Sequence, residues 1–182
     1  MDLKHKQYGF DFDVERCVEC HACEVACKSF HNIEPGVKWR RIASAWEGQY
    51  PDVRTMTISL ACLHCGEPAC ESVCPTGAIQ KRTEDGIVVV DHAKCIGCHC
   101  CFLACPFGVP QYGEDGKMQK CDLCLDRWVE GKKPICVAAC PMRAMDAGPL
   151  DELKARYGDV REAEGFVYSG KLIPSVVFKP KR

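Results

Sequence analysis

Several familiar sources of function are missing from this sequence. It has no excess charge of either sign: 24 Lys and Arg stand against 25 Asp and Glu, a formal net charge of −1. A strongly basic, nucleic-acid-binding face is therefore not implied. No apolar run approaches the ~18 residues of a membrane-spanning helix, so any membrane contact is expected through a partner. The opening MDLKHKQYGFDFDVERC has no apolar h-region and no small-residue cleavage site, so no secretory signal is expected. Arg40-Arg41 is an internal pair, not a twin-arginine leader. There is no P-loop and no G-x-G-x-x-G, and no nucleophile–base pair points to a catalytic centre. Aromatic residues are 8% of the chain, so the interior needs another source of bulk.

That source is cysteine, at 17 of 182 residues. Without an export signal a disulfide framework is not expected, and an odd count leaves one thiol over. The cysteines fall into four groups: Cys17, Cys20, Cys23, Cys27; then Cys62, Cys65, Cys70, Cys74; then Cys95, Cys98, Cys101, Cys105; then Cys121, Cys124, Cys136, Cys140. Each group begins Cys-x-x-Cys and ends Cys-x-x-x-Cys, a fourfold internal repeat. The last three groups are followed by Pro75, Pro106 and Pro141.

With Cys100 set aside, the third group reads C-x-x-C-x-x-C-x-x-x-C-P, the ligand run of bacterial two-cluster ferredoxins. Three thiolates at two-residue gaps wrap one cubane, and the fourth ligates the other cluster. The proline is expected in the first turn of the helix beside that ligand. Two runs thus cross-ligate two clusters, and four runs make two such pairs. Asp85-Gly86, between AIQK and IVVV, predicts a hairpin joining the second and third groups, so these pair. The first and fourth then pair across the chain. The expected sets are Cys17, Cys20, Cys23 and Cys140; Cys27, Cys121, Cys124 and Cys136; Cys62, Cys65, Cys70 and Cys105; and Cys74, Cys95, Cys98 and Cys101. Cys100 is left over, as a half-buried small apolar residue rather than a spare ligand. Zinc is the alternative metal, since paired C-x-x-C motifs build closed Cys₄ sites. Those sites rarely need the third cysteine and the repeated C-P.

The fold expected is α+β: two pseudo-symmetric bacterial-ferredoxin-like lobes, each with two [4Fe-4S] clusters, one inserted in the other. Residues 1–34 with 110–148 make the first lobe and 55–109 the second. A breaker-rich hairpin insertion occupies 35–54, and a helix and strand extension 149–182. YGFDFD and RTMTISL alternate like half-buried strands. GPLDELKARYGD predicts a short helix from Pro149 to a stop at Gly158, SVVF a last strand, and KPKR a solvated tail. His21, His64 and His99 sit in the cysteine loops, either donating N–H···S bonds to a cluster ligand or simply exposed. KWRR, residues 38–41, reads as a solvated strand face, with partner docking as the alternative.

These motifs resemble the four-cluster iron–sulfur subunit of DMSO reductase and related molybdopterin oxidoreductases. The likeness runs from YGFDFDVERCVECHACEVACK through CLHCGEPACESVCPTGAI, DGIVVVDHAKCIGC and QKCDLCLDRWVEGKKPICVAACPMRAM to GPLDEL. The resemblance implies a non-catalytic electron-transfer subunit with four [4Fe-4S] clusters. It would work between a molybdenum or tungsten pterin catalytic subunit and a quinone-reactive membrane subunit or another redox partner. By the same analogy the Cys17–Cys140 set lies near the catalytic subunit and the Cys74–Cys101 set at the far end. Some relatives lack the ligand that Cys98 supplies and carry a three-iron cluster there; here the cysteine implies four cubanes. A cytoplasmic place, or a peripheral one at the membrane through partners, is expected, with export on a partner's signal left open.

Overall fold

The computed structural model describes residues 6–179. Its centre is a three-stranded sheet of β1 (Tyr8–Asp13), β8 (Met145–Pro149) and β9 (Val176–Lys179), in the order β8-β1-β9. In chain order the intervening elements are α1 (Ala22–Phe30), β2 (Arg41–Gln49), β3 (Asp52–Leu60), α2 (Ala69–Ser72), β4 (Ile79–Lys81) and β5 (Val88–Val90). There follow α3 (Cys100–Ala104), β6 (Gln111–Tyr112), β7 (Met118–Gln119), α4 (Leu125–Val129) and α5 (Ile135–Ala138), with α6 (Leu150–Tyr157) between β8 and β9. Among the described residues no helix is long and apolar enough to cross a membrane.

β1 is antiparallel to β8 and parallel to β9, with Phe10 opposite Ala147 and Val176, and Phe12 opposite Met145 and Phe178. These side chains form one face of the sheet and the middle of the main core. YGFDFD is therefore not half-buried. Asp11 and Asp13, on the other face, are buried too, because the sheet is covered on both sides. There α6 lays Leu150 and Leu153 against Val177. Asp13 is held by Lys179 at 3.0 Å, so the first residue of KPKR is an ion-paired strand residue, and the rest lies outside the described residues. The C-terminal segment, expected as an extension, completes the central sheet. Its helix has Pro149 and Gly158 at its ends, with Asp151 and Glu152 in the first turn and Lys154 and Arg156 in the last, as the macrodipole favours.

The hairpin expected over 35–54 runs instead from Arg41 to Leu60, because RTMTISL is its second strand. Its tip stands in solvent, while Thr57, Ile58 and Ser59 at its base are all buried against the core. Alternation fails at the base because both faces of β3 are covered there. The β4–β5 hairpin forms between the second and third groups, with Lys81 opposite Val88 and a loop over residues 82–87. Within that loop Asp85 accepts from the N–H of Ile87, and Gly86 adopts φ +68°.

KWRR is not a solvated face. Lys38 pairs with Glu24 at 3.3 Å, and Trp39 donates to Gln119 at 3.1 Å. Arg40 is buried, and Arg41 donates to the carbonyls of Gly108 and Phe107. The run pins the hairpin base onto the segments that carry the third and fourth cysteine groups.

Candidate metal centres

The four cysteine groups share one local geometry. In every Cys-x-x-Cys loop the residue before the second cysteine is left-handed: Glu19 at φ +55°, His64 at +42°, Gly97 at +67° and Leu123 at +62°. Three of the four are not glycine, so the conformation is imposed by the surroundings and costs of order 1–3 kcal/mol at each site. Its return is a concave backbone whose N–H groups point inward, the arrangement that receives anionic groups, Fe–S clusters included. Backbone N–H groups reach sulfur directly at Cys95 (from Met118, 3.4 Å), Cys121 (from Leu123, 3.4 Å) and Cys140 (from Ala144, 3.3 Å).

The prolines act differently from expectation. Each helix before a Cys-Pro ends ahead of the cysteine, and the proline is the second residue of a turn closed back onto that cysteine's carbonyl. Gly77 donates to Cys74 O at 3.3 Å, Gly108 to Cys105 O at 3.1 Å and Arg143 to Cys140 O at 3.2 Å. Proline's fixed φ suits that position, so it turns the chain after the ligand instead of starting a helix.

All seventeen cysteines are free thiols. Cys17, Cys20, Cys23 and Cys140 line one small cavity, and Cys74, Cys95, Cys98 and Cys101 another. Cys65 and Cys70 lie within electrostatic reach of both Cys62 and Cys105. Cys27, Cys121 and Cys124 are brought to Cys136 in the same way. Two fours thus each line one cavity, and in the other two the thiols are electrostatic neighbours; in each case the members come from two distant groups. α1 packs on α5 and α2 on α3, which carries the fourth cysteine of one group to the first three of another. Cys23 is also near Cys136, and Cys70 near Cys101, so each four has a neighbouring four.

Burial, reinforced by crowding with one another, pushes Cys27, Cys65, Cys70 and Cys124 up to about 12. Thiols this costly to ionise separately become thiolates only with a cation to share them, and a coordinating metal does that outright. Cys74 is the exception: burial is outweighed there by hydrogen bonds from the Ile79 backbone and from Thr76, and its thiol is lowered. Sulfur-only donor sets, inward N–H groups and the absence of disulfides fit an iron–sulfur cluster. Cys100 stands outside the cavity, exposed rather than half-buried, at the first turn of α3.

The histidines follow neither expectation fully. His21, His64 and His99 all adopt left-handed φ (+56°, +42°, +64°), a conformation in which histidine is over-represented, and none bonds to sulfur. His21 is tied to Glu24 at 3.0 Å and His99 is stacked on Tyr112 at 3.7 Å. His64 is neither exposed nor sulfur-bound: it is fully buried, its Nδ1 accepting from the Val88 N–H at 3.1 Å. Burial, then the Lys120 and Arg40 cations, hold it well below its usual range, so it stays neutral. The contacts to sulfur come from residues that the sequence does not single out. His31 Nε2 lies 3.2 Å from Cys124 Sγ, and the Tyr112 hydroxyl 3.1 Å from Cys101 Sγ. Only the α1 register hints at His31, one turn after Cys27.

Two family descriptions match this geometry: a 4Fe-4S dicluster domain over residues 53–150 and a 4Fe-4S binding domain over residues 14–30. The sequence is 47% identical over 183 residues to one of the polypeptides of the anaerobic dimethyl sulfoxide reductase of Escherichia coli, covering 96% of this protein and 89% of that one. It belongs to the 4Fe-4S dicluster family of iron–sulfur electron-transfer subunits. Relatives of this iron–sulfur subunit serve several named complexes. The formate dehydrogenase iron-sulfur subunit of Wolinella succinogenes is 38% identical, over 79% of this chain and 82% of its own. A subunit of the sulfite dehydrogenase of Allochromatium vinosum is 35% identical, over 96% and 80%. The iron–sulfur subunit is an electron carrier and not a catalytic chain, and it holds several [4Fe-4S] clusters, with cysteines enough for four.

Proposed function

We propose that this chain relays electrons through four [4Fe-4S] clusters between a molybdopterin catalytic subunit, with molybdenum or tungsten, and a quinone-reactive membrane subunit or another redox partner. The clusters are held by Cys17, Cys20, Cys23 and Cys140; by Cys27, Cys121, Cys124 and Cys136; by Cys62, Cys65, Cys70 and Cys105; and by Cys74, Cys95, Cys98 and Cys101. Each cluster, once bound, takes up and gives back one electron. The protein fixes spacing, order and surroundings. Two pseudo-symmetric lobes, one inserted in the other, carry two clusters each, a reading that the α1–α5 and α2–α3 packing supports.

The observation that carries the order is thiol exposure. The Cys17 and Cys74 sets each contain one exposed cysteine, Cys20 and Cys98, whereas all four members of the Cys27 set are buried. In the Cys62 set Cys62 is buried and the others are intermediate. A wire needs its ends at the surface and its middle shielded. Exposure supports these two sets as the ends. By the resemblance to iron–sulfur subunits of molybdopterin oxidoreductases, the Cys17 set faces the catalytic partner and the Cys74 set the other partner, through which the chain is peripheral to the membrane.

Anaerobic affinity purification tests the reading. Stoichiometric recovery of a large pterin-binding protein with a brown iron–sulfur chain is the expected result. A brown chain isolated alone makes it a free polyferredoxin, and a colourless zinc-loaded chain removes the relay altogether.

A further inference from the structure

Among the described residues Arg40 is a buried cation with no acidic partner. It is 3% exposed, and its guanidinium makes one hydrogen bond, from Nη1 to Ser59 Oγ at 3.0 Å. Nε and Nη2 are buried without a partner among the described residues. On one side the guanidinium lies over the Phe10 ring, 4.4 Å from its centroid. That contact is attractive but brings no counter-charge. A buried cation left in this state costs several kcal/mol, and proteins keep one only where an anion meets it.

Its strongest electrostatic partners are Cys136, Cys121, Cys23 and Cys27. Three belong to one set of four and Cys23 to its neighbour, so Arg40 sits where the two sets of the first lobe meet. Ser59, which accepts from Arg40, lies 3.7 Å from Cys23 Sγ. The local sequence explains the position. Trp39 and Arg41 on either side are anchored to Gln119 and to the carbonyls of Gly108 and Phe107, and this drives Arg40 inward.

We propose that Arg40 is a redox-positioning residue, a fixed positive charge that raises the reduction potentials of the two first-lobe clusters together. Reduction adds a negative charge to a cluster, and a nearby cation in a medium of low dielectric favours that form. Nε and Nη2 reach no cysteine sulfur or other partner among the described residues, so they would be free to donate toward a bound cluster, which would act in the same direction. The four thiols closest to it electrostatically all belong to the first lobe, so the effect is larger there than in the second lobe, which Arg40 reaches at His64. The inference rests on the cluster assignment above.

Potentiometric titration followed by EPR, on the complex as isolated under anaerobic conditions, tests it. Iron and sulfide content of the parent is measured first, so that a failed cluster assignment is seen separately. In Arg40→Met the ratio of reduced to oxidised first-lobe clusters at a fixed potential should fall at least tenfold, which is 59 mV for a one-electron couple. The second-lobe clusters should shift clearly less. Arg40→Lys, with the charge retained, should recover most of the shift, which a purely structural role would not require. Four unchanged midpoints in Arg40→Met overturn the proposal, as does an equal shift of all four. If Arg40→Met does not assemble its clusters, Arg40→Gln is read by the same criteria. If both neutral variants lose the first-lobe clusters while Lys keeps them, the charge is required there and the proposal stands. If Lys loses them as well, shape and not charge is what the site needs, and the proposal falls.

Discussion

Replacing Cys27 by serine separates cross-ligation from local ligation. Cys27 follows Cys23 by one turn of α1, yet Cys23 lines the cavity with Cys17, Cys20 and Cys140, whereas Cys27 is brought to Cys136, Cys121 and Cys124. The substitution removes one ligand from one cluster of four. Total iron should therefore drop from about sixteen atoms toward about twelve, a loss of about a quarter, if that cluster is lost whole. Cys27 is 4% exposed, and a buried hydroxyl lacking a partner costs about 1–3 kcal/mol. That is small against a typical stability of about 5–15 kcal/mol, so the fold should survive. Iron and sulfide analysis with EPR of the reduced protein gives the answer. The signal of the cluster held by Cys121, Cys124 and Cys136 should disappear or change type, and that of the Cys17, Cys20 and Cys23 cluster should remain. A variant that instead loses only the Cys17 signal would mean four-in-a-row ligation and would refute the exchange between α1 and α5.

Cys100→Ala should retain all four cluster signals and change stability by no more than about 0.5 kcal/mol, since the thiol is exposed and outside the cavity; losing one cubane would put the register of the third group in error. Asp11→Asn addresses pH. Burial first, then Asp13 and Asp146, raise the Asp11 carboxyl to about 7 in the folded chain, so between about pH 4 and 7 the folded form keeps a proton that the unfolded chain has released. Stability accordingly declines as pH rises through that window, by at most about 4 kcal/mol and by less to the extent that solvent screens the charge. The Asn variant should flatten this slope in denaturant-induced loss of cluster absorbance, and an unaltered slope would place the titration elsewhere. If the proposed order holds, Cys98→Ser should impair exchange with a quinone-side or other donor yet let artificial dyes drive the catalytic partner. Loss of the Cys17 cluster should silence donor-driven turnover, and full turnover without that cluster would reverse the order of the wire.

The sequence is most legible where a ligand imposes spacing. Four repeats of Cys-x-x-Cys and Cys-x-x-x-Cys are enough to propose a grouping of the thiols, because a compact cluster constrains which sulfurs can share it, and two of the proposed fours each line one cavity. The α6 helix is equally readable from Pro149, its charge gradient and Gly158. The remainder depends on distant partners. Nothing near residue 10 announces that β9 will pair with β1 in parallel and bury Asp11 and Asp13. Arg40 looks like one more cation in KWRR until its neighbours are seen to be anchored to residues 107, 108 and 119. The α4 helix and the β6–β7 hairpin are too short for their periodicity to register. The prolines read as helix starts because proline suits both that position and the second position of a turn, and only the hydrogen bond back to the cysteine carbonyl separates the two.

The central claim is that sixteen of the seventeen cysteines hold four cubanes. Metal and acid-labile sulfide determined per polypeptide on anaerobically isolated protein tests it most directly. The account predicts about sixteen irons and about as many sulfides. About four zinc ions with negligible iron and sulfide would contradict it.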